Sequence, residues 1–221
     1  MTPAELEALA LSLQVAALGT LAALPAAVPL AWLLARRSFP GKAVVEAILG
    51  LPLVLPPVVT GYLLLVLLGR RGLLGGPLGL DLAFTTAAAA LVAGVMGFPL
   101  LLRALRLSIE AVDPRLEQAA RTLGAGPVDT FRAVTLPLAW PGLLSGALLC
   151  FARALGEFGA TITFAGNIPG TSRTLTLAIW SALQAPGGDL VAARMVALSV
   201  GLALSAAALG EWLARRGGAR R

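Results

Sequence analysis

The sequence is dominated by long apolar runs separated by short polar stretches. Five runs are long enough for a tilted helix to cross a membrane: residues 9–35, 43–68, 83–102, 138–155 and 190–214. In hydrocarbon every backbone polar group must be bonded within its own segment, and the runs lack the short alternating strands of a barrel. The pattern predicts an all-α integral membrane protein with about five transmembrane helices. No repeat or linker divides the chain, so residues 1–221 are expected to form a single domain.

The second apolar run contains three prolines, Pro52, Pro56 and Pro57. Each proline removes a backbone donor and clashes with the preceding turn, so this helix is expected to kink or break. Irregular backbone at membrane depth usually lines a cavity. Two interpretations stay open: Pro56 and Pro57 belong to a transport pathway, or neighbouring helices simply tolerate the kink.

Positive charges predict the orientation of the helices. Lysine and arginine collect after the first, third and fifth runs, at Arg36, Arg37 and Lys42, within residues 103–132, and within residues 215–221. Segments rich in these residues stay in the cytoplasm, so the N-terminus is predicted outside and the C-terminus inside. Arg70 and Arg71, on the opposite side, run against this bias.

Composition narrows the function classes further. Hydrophobic residues make up 58% of the chain and charged residues 13%, which indicates lipid as the solvent. The net charge of +6 sits in short clusters at the ends of apolar runs, without interleaved aromatics, so no nucleic-acid partner is expected. The chain has no histidine and one cysteine, Cys150, which is interpreted as a packing residue. No catalytic residue, metal site or bound cofactor is expected.

A polar stretch, residues 110–137, separates the third and fourth runs and cannot lie in lipid. Asp113 can cap a helix, Pro114 suits its first turn and Gly124 can end it, so a short helix over 113–123 is predicted. A second short helix is predicted over 128–134. The stretch forms a cytoplasmic loop, about residues 109–137, although short helices between spans often only rest at the membrane surface.

The spacing within this stretch is specific. Gln118, Ala119 and Ala120 are followed by three residues, Gly124, nine residues, and Val134-Thr135-Leu136-Pro137. This arrangement resembles the cytoplasmic loop signature of permease subunits of ABC importers. The resemblance implies that the two short helices insert into a groove on a separate ATPase subunit. The coupling residues that it implies are Glu117, Gln118, Ala119, Ala120, Gly124, Leu136 and Pro137.

One position departs from that signature. The family pattern begins with glutamate where this chain has Gln118, although Glu117 stands immediately before it. Glutamine keeps the hydrogen-bonding capacity but loses the charge. The Glu117 carboxylate is therefore expected to meet the basic surface of the partner instead.

The end of the fourth run carries charges deep in an apolar segment. Arg153 and Glu157 are four residues apart, so they can pair on one helix face. An unpaired charge at mid-membrane would cost about 2.5 to 3.5 kcal/mol on insertion scales. Pairing for stability and a role in gating remain alternatives. Polar candidates for contact with a substrate near the outer mouth are Thr161, Thr163, Asn167 and Arg173.

Several segments together resemble the molybdate permease subunits of bacterial ABC importers: residues 51–57, 116–125, 151–164, 166–170 and 186–188. The resemblance implies an oxyanion delivered by an extracytoplasmic molybdate-binding protein, which Arg173 could dock. It also implies two copies of the permease in the bacterial cytoplasmic (inner) membrane and two copies of the ATPase. Tungstate and sulfate or thiosulfate permeases share much of the pattern and stay as alternatives.

The sequence also bears on rival mechanisms. It contains no G-x-x-x-x-G-K-[ST] loop, so ATP and magnesium are expected on the partner ATPase. An intramembrane enzyme has little support, because no serine can be activated by a histidine. A passive channel would need a filter or charge ring and would not need a docking loop.

Overall fold

The computed structural model describes the backbone of residues 2–218, and the side chains through residue 206 and at 208 and 210. The basic residues of 215–221, used above for orientation, lie outside the described side chains. All regular structure in the described part is helical, and the elements are α1 (Pro3–Arg36), α2 (Lys42–Val54), α3 (Pro57–Leu68), α4 (Thr86–Glu110), α5 (Pro114–Thr122), α6 (Pro127–Thr130), a π-helical segment (Phe131–Thr135), α7 (Leu136–Leu155), α8 (Gly159–Phe164), α9 (Leu175–Gln184) and α10 (Asp189–Gly218).

Three long helices, α1, α4 and α7, form the centre of the molecule. Helices α1 and α4 run parallel and touch at Gly19, where an added Cβ would lie 2.5 Å from the Ala90 carbonyl oxygen. Helix α7 runs antiparallel to α4, and its buried Cys150 fits against Gly97. Small residues allow such close approach between membrane helices, where dispersion contacts drive association. The interpretation of Cys150 as a packing residue is confirmed.

The second apolar run is broken, as its prolines predict. Helix α2 ends at Val54, and α3 begins at Pro57 with its axis bent by 113°. Neither Pro56 nor Pro57 can donate a backbone hydrogen bond, so the helix cannot continue through them. Because α1 and α4 run parallel, the bent pair must return the chain to the end at which α1 begins. Counted as one span with α1, α4, α7 and α10, it gives five candidate crossings, which agrees with the predicted architecture.

Of the two separate helices predicted for the polar stretch, the structure contains the first. In α5 the Arg115 N–H donates to Asp113 Oδ1 at 2.9 Å, and Gly124 ends the turn at a φ of +89°. The separate second helix over 128–134 is wrong, because α6, the π-helical segment and α7 form one continuous helix, Pro127–Leu155. Pro137 lacks an N–H, and just before it the Leu136 N–H donates to Phe131, five residues earlier.

Two short helices, α8 and α9, lie between α7 and α10 and were not predicted. Helix α9 begins where the Leu175 N–H donates to the buried Ser12 hydroxyl of α1 at 2.6 Å. At ten residues, α9 is too short to give the length signal of a crossing helix. Its position depends on side chains distant in sequence, which no local pattern records.

Candidate coupling loop and pathway residues

The coupling loop, residues 109–137, exposes three large apolar side chains among its polar ones. Leu123 is 88% exposed, Val128 60% and Leu116 48%. Three of the predicted coupling residues, Gln118, Ala119 and Gly124, share this exposure; Pro137 is also exposed, whereas Ala120 and Leu136 are half-buried. Large apolar side chains exposed on a polar loop are consistent with a surface that another protein covers.

Glu117 lies on the opposite, inner face of α5. It is 6% exposed, and its Oε1 lies 3.0 Å from both Nε and Nη2 of Arg36, at the end of α1. The Thr135 hydroxyl donates to the same oxygen at 2.7 Å. Arg36 also donates to the Val112 carbonyl at 2.9 Å. Internal donors therefore already engage one oxygen of the Glu117 carboxylate, and the expectation that this carboxylate meets a partner stays a prediction.

Sequence reasoning missed Arg36 and Thr135 as parts of this arrangement. Arg36 was interpreted only as a topology signal, and Thr135 was noted only as a position in the loop signature. Arg36 and Glu117 are 81 positions apart, and no sequence pattern links them. One turn before Arg36, Trp32 makes an edge-to-face contact with Phe131 of the π-helical segment, with ring centroids 6.2 Å apart. Helix α1 thus holds the base of the loop at two points.

The predicted pair of Arg153 and Glu157 is present at the end of α7. Arg153 Nη1 lies 2.7 Å from Glu157 Oε2, an ion pair without hydrogen-bond geometry. The other carboxylate oxygen accepts from the Ala160 N–H at 2.9 Å, which caps α8. The Glu157 backbone carbonyl accepts from the Thr176 hydroxyl of α9 at 2.8 Å. Glu157 therefore ties the α7 end to both short helices.

The proline break packs directly onto α8. An added Cβ at Gly159 would lie 2.9 Å from Pro57, and one at Gly61 would lie 2.6 Å from the Ala160 carbonyl oxygen. Pro56 is exposed beside it. The structure thus brings the predicted residues Pro56, Pro57, Arg153, Glu157, Thr161 and Thr163 together around α8.

The hydroxyls at this break differ in their bonding. Thr163 donates to the Gly159 carbonyl at 2.8 Å, and Thr161 is buried. Sequence reasoning overlooked Thr60 of α3. Its buried hydroxyl has no hydrogen-bond partner within the described residues. Such a group is unusual in a folded interior and marks the break as a polar spot between apolar helices.

Asn167 and Arg173 form a separate group in the loop between α8 and α9. Arg173 Nε donates to Asn167 Oδ1 at 2.9 Å. Asn167 Nδ2 in turn donates to the Ser181 hydroxyl of α9 at 2.8 Å. The Asn167 side-chain amide is therefore bonded on both sides within the protein. The predicted substrate-contact residues fall into two groups, one on α8 and one in this loop.

This geometry defines a class of protein: a multi-pass helical membrane protein with an exposed polar loop between two of its candidate spans. A solved chain titled as part of an amino acid ABC transporter has the same fold, with a TM-score of 0.64 over 97% of this chain and 94% of that chain, at 20% identity. The model of the family of binding-protein-dependent transport system inner membrane components matches residues 27–219. The chain belongs to this family.

Curated relatives extend the match to nearly the whole chain. A protein of Escherichia coli (strain K12) named molybdenum transport system permease protein ModB is 53% identical over 97% of this chain and 96% of its own length. A protein of the same name from Haemophilus influenzae is 50% identical over 96% of this chain and 94% of its own. The putative molybdenum transport system permease protein of Bacillus subtilis is 41% identical, covering 86% of both. The chain is a multi-pass membrane transport subunit.

Proposed function

We propose that this chain is the membrane subunit of an ATP-driven importer that carries molybdate. The relatives at 50–53% identity over nearly the whole chain are named molybdenum transport system permease proteins, and this supports the proposal most directly. The working unit comprises two copies of this chain in the bacterial cytoplasmic membrane, two ATPase subunits that bind ATP and magnesium, and an extracytoplasmic binding protein that delivers the anion.

Uptake into vesicles that hold the complete complex tests the substrate. Molybdate, tungstate and sulfate are offered in turn, with and without the binding protein. We expect ATP-dependent accumulation of molybdate that requires the binding protein. Accumulation of sulfate without molybdate would refute the assignment, and accumulation of tungstate alone would move it to the tungstate permeases.

The outer face of the coupling loop is proposed to dock the ATPase. Leu123, the most exposed large apolar residue of the loop, should lie in the interface, so a charge there would have to be buried on assembly. We expect Leu123→Asp to abolish co-purification of the ATPase. Leu73→Asp, at a leucine between α3 and α4 that is 71% exposed, is the matched control and should leave it intact. Equal retention by both variants would contradict the docking role.

The second copy is proposed to cover α2 and α3. Helix α2 has no buried residue, and Val54 at its end is 82% exposed, beside Pro56. A pathway between two copies would then run past the break and α8, where Thr161, Thr163, Arg153 and Glu157 lie. A Val54→Cys variant should form a cross-link between copies in membranes. Cys150, which is buried, provides the unreactive background.

A further inference from the structure

Helix α5 is held from two directions. It packs against α6 and the π-helical segment, which continue into α7. Arg36 of α1 reaches it through the Glu117 side chain and also bonds the Val112 carbonyl just before it. A displacement of α5 must therefore either pull on Arg36 or break the contact with Glu117.

We propose that Arg36, Glu117 and Thr135 form a clamp that transmits movement of α5 to α1 and to the base of α7. Glu117 would then be a positioning residue for transport, acting through its neighbours without touching a transported anion or a nucleotide. The inference rests on the proposed coupling role of the loop. It assigns to the inner face of α5 a function separate from docking, which belongs to the exposed outer face.

The chemistry of the clamp favours a rigid link. One oxygen of Glu117 receives the Nε and Nη2 contacts of Arg36 at 3.0 Å and the Thr135 hydroxyl at 2.7 Å. Glu117 lies in the first turn of α5 and Arg36 in the last turn of α1, so both charges suit their helix dipoles. Burial keeps water from competing for these bonds, and charge-assisted bonds are short and directional.

A clamp differs from ordinary packing in what its loss does. Loss of packing lowers the amount of folded complex and leaves the surviving complexes unchanged. Loss of a transmitting contact leaves ATP hydrolysis running while transport falls, because the docked loop moves without moving α1. The ratio of anions imported to ATP hydrolysed separates these outcomes.

The test uses the assembled complex with its ATPase and binding protein in proteoliposomes. Glu117→Gln keeps the shape and the acceptor oxygen but removes the charge, and Thr135→Val removes the hydroxyl. We expect molybdate imported per ATP to fall by at least about fivefold in Glu117→Gln, the lower end of usual coupling strengths. Thr135→Val should lower the ratio in the same direction.

A matched control removes a similar group beside the clamp. Arg37→Gln deletes an exposed charge next to Arg36 and outside the docking loop. It should keep the wild-type ratio. An unchanged ratio in Glu117→Gln and Thr135→Val would overturn the clamp.

A second comparison covers the case in which Glu117→Gln fails to assemble. Thr135→Ser retains the hydroxyl and should restore the ratio that Thr135→Val loses; equal ratios in the two would overturn the clamp. Uptake by the wild-type complex tests the proposed substrate separately. If it imports tungstate or sulfate in place of molybdate, the proposed substrate fails, and the same ratios measured with that anion still decide the clamp.

Discussion

The two ends of the molecule each bury a glutamate against an arginine, yet the two pairs are built differently. Glu157 pairs with Arg153 four residues earlier on the same helix. Glu117 pairs with Arg36, which is 81 residues earlier and on another helix. The local pair shapes a helix end and caps α8, whereas the distant pair joins two elements that would otherwise be free to separate. A pair of the same residue types thus fixes the shape of a helix end on one side of the molecule and connects two helices on the other.

The largest loss of stability is expected from breaking the local pair. Arg153→Met leaves the Glu157 carboxylate buried without a counter-charge, a change that costs about 3–5 kcal/mol in buried pairs. The free energy of unfolding is measured in mixed micelles by titration with SDS. In the double variant with Glu157→Gln no charge is left unpaired, so most of the loss should be recovered. Equal losses in the single and double variants would show that packing, and not charge, holds this end.

Breaking the distant pair, Arg36 and Glu117, should lower the free energy of unfolding by less. Arg36→Met removes charge-assisted bonds from Glu117, each worth about 1.5–3 kcal/mol, but α5 can then swing toward water and hydrate the carboxylate. The effect should therefore concentrate locally. Hydrogen exchange should accelerate at the amides of α5 and stay unchanged at those of α4. Uniform acceleration in both helices would remove the distinction between the two pairs.

The hydroxyl of the clamp gives a smaller effect. Thr135→Val removes one bond to Glu117 at nearly constant volume and should cost about 1 kcal/mol. Thr176→Val, which removes the bond to the Glu157 carbonyl, should cost a similar amount. The difference lies in additivity: Thr135→Val should couple to Arg36→Met in a double-mutant cycle, because both donate to one oxygen. Simple additivity would mean that the three residues do not act as a unit.

An exposed ion-pair network should contribute least to the free energy of unfolding. Arg106 reaches Glu46 and Glu110 at 2.7 Å each, with all three side chains about one-third exposed. Surface pairs contribute about 0–1 kcal/mol, so Arg106→Gln should change the unfolding free energy by less than about 1 kcal/mol. A larger change would show that exposure does not separate this network from the two buried pairs.

Local signals in the sequence were sufficient for much of the fold. Asp113 and Gly124 bound α5 within a residue of the predicted helix, because capping and left-handed turns depend on single residues. Pro56 and Pro57 break the second crossing for an equally local reason. The number of candidate membrane spans was predicted from the lengths of the apolar runs alone.

The remaining features depend on contacts between distant positions. Helix α9 starts at a hydroxyl contributed by Ser12 of α1, and the clamp unites Arg36 with Glu117. The loop signature led to the correct helix but not to the inward position of Glu117, because spacing records which residues recur and not which way a side chain faces. Only the three-dimensional packing of α1 against the loop distinguishes the two faces of α5.

The π-helical segment Phe131–Thr135 also bears on the length of the chain. A turn closed by bonds to the fifth residue holds one residue more than an α-helical turn. The nine-residue interval between Gly124 and Val134 therefore leads into a helix that carries a surplus residue ahead of Pro137. Deleting one residue there would tighten the turn into ordinary α-helix and leave the helix on either side facing as before. The wider turn ahead of Pro137 thus holds the additional residue, and a chain one residue shorter at this point would keep the same helix register.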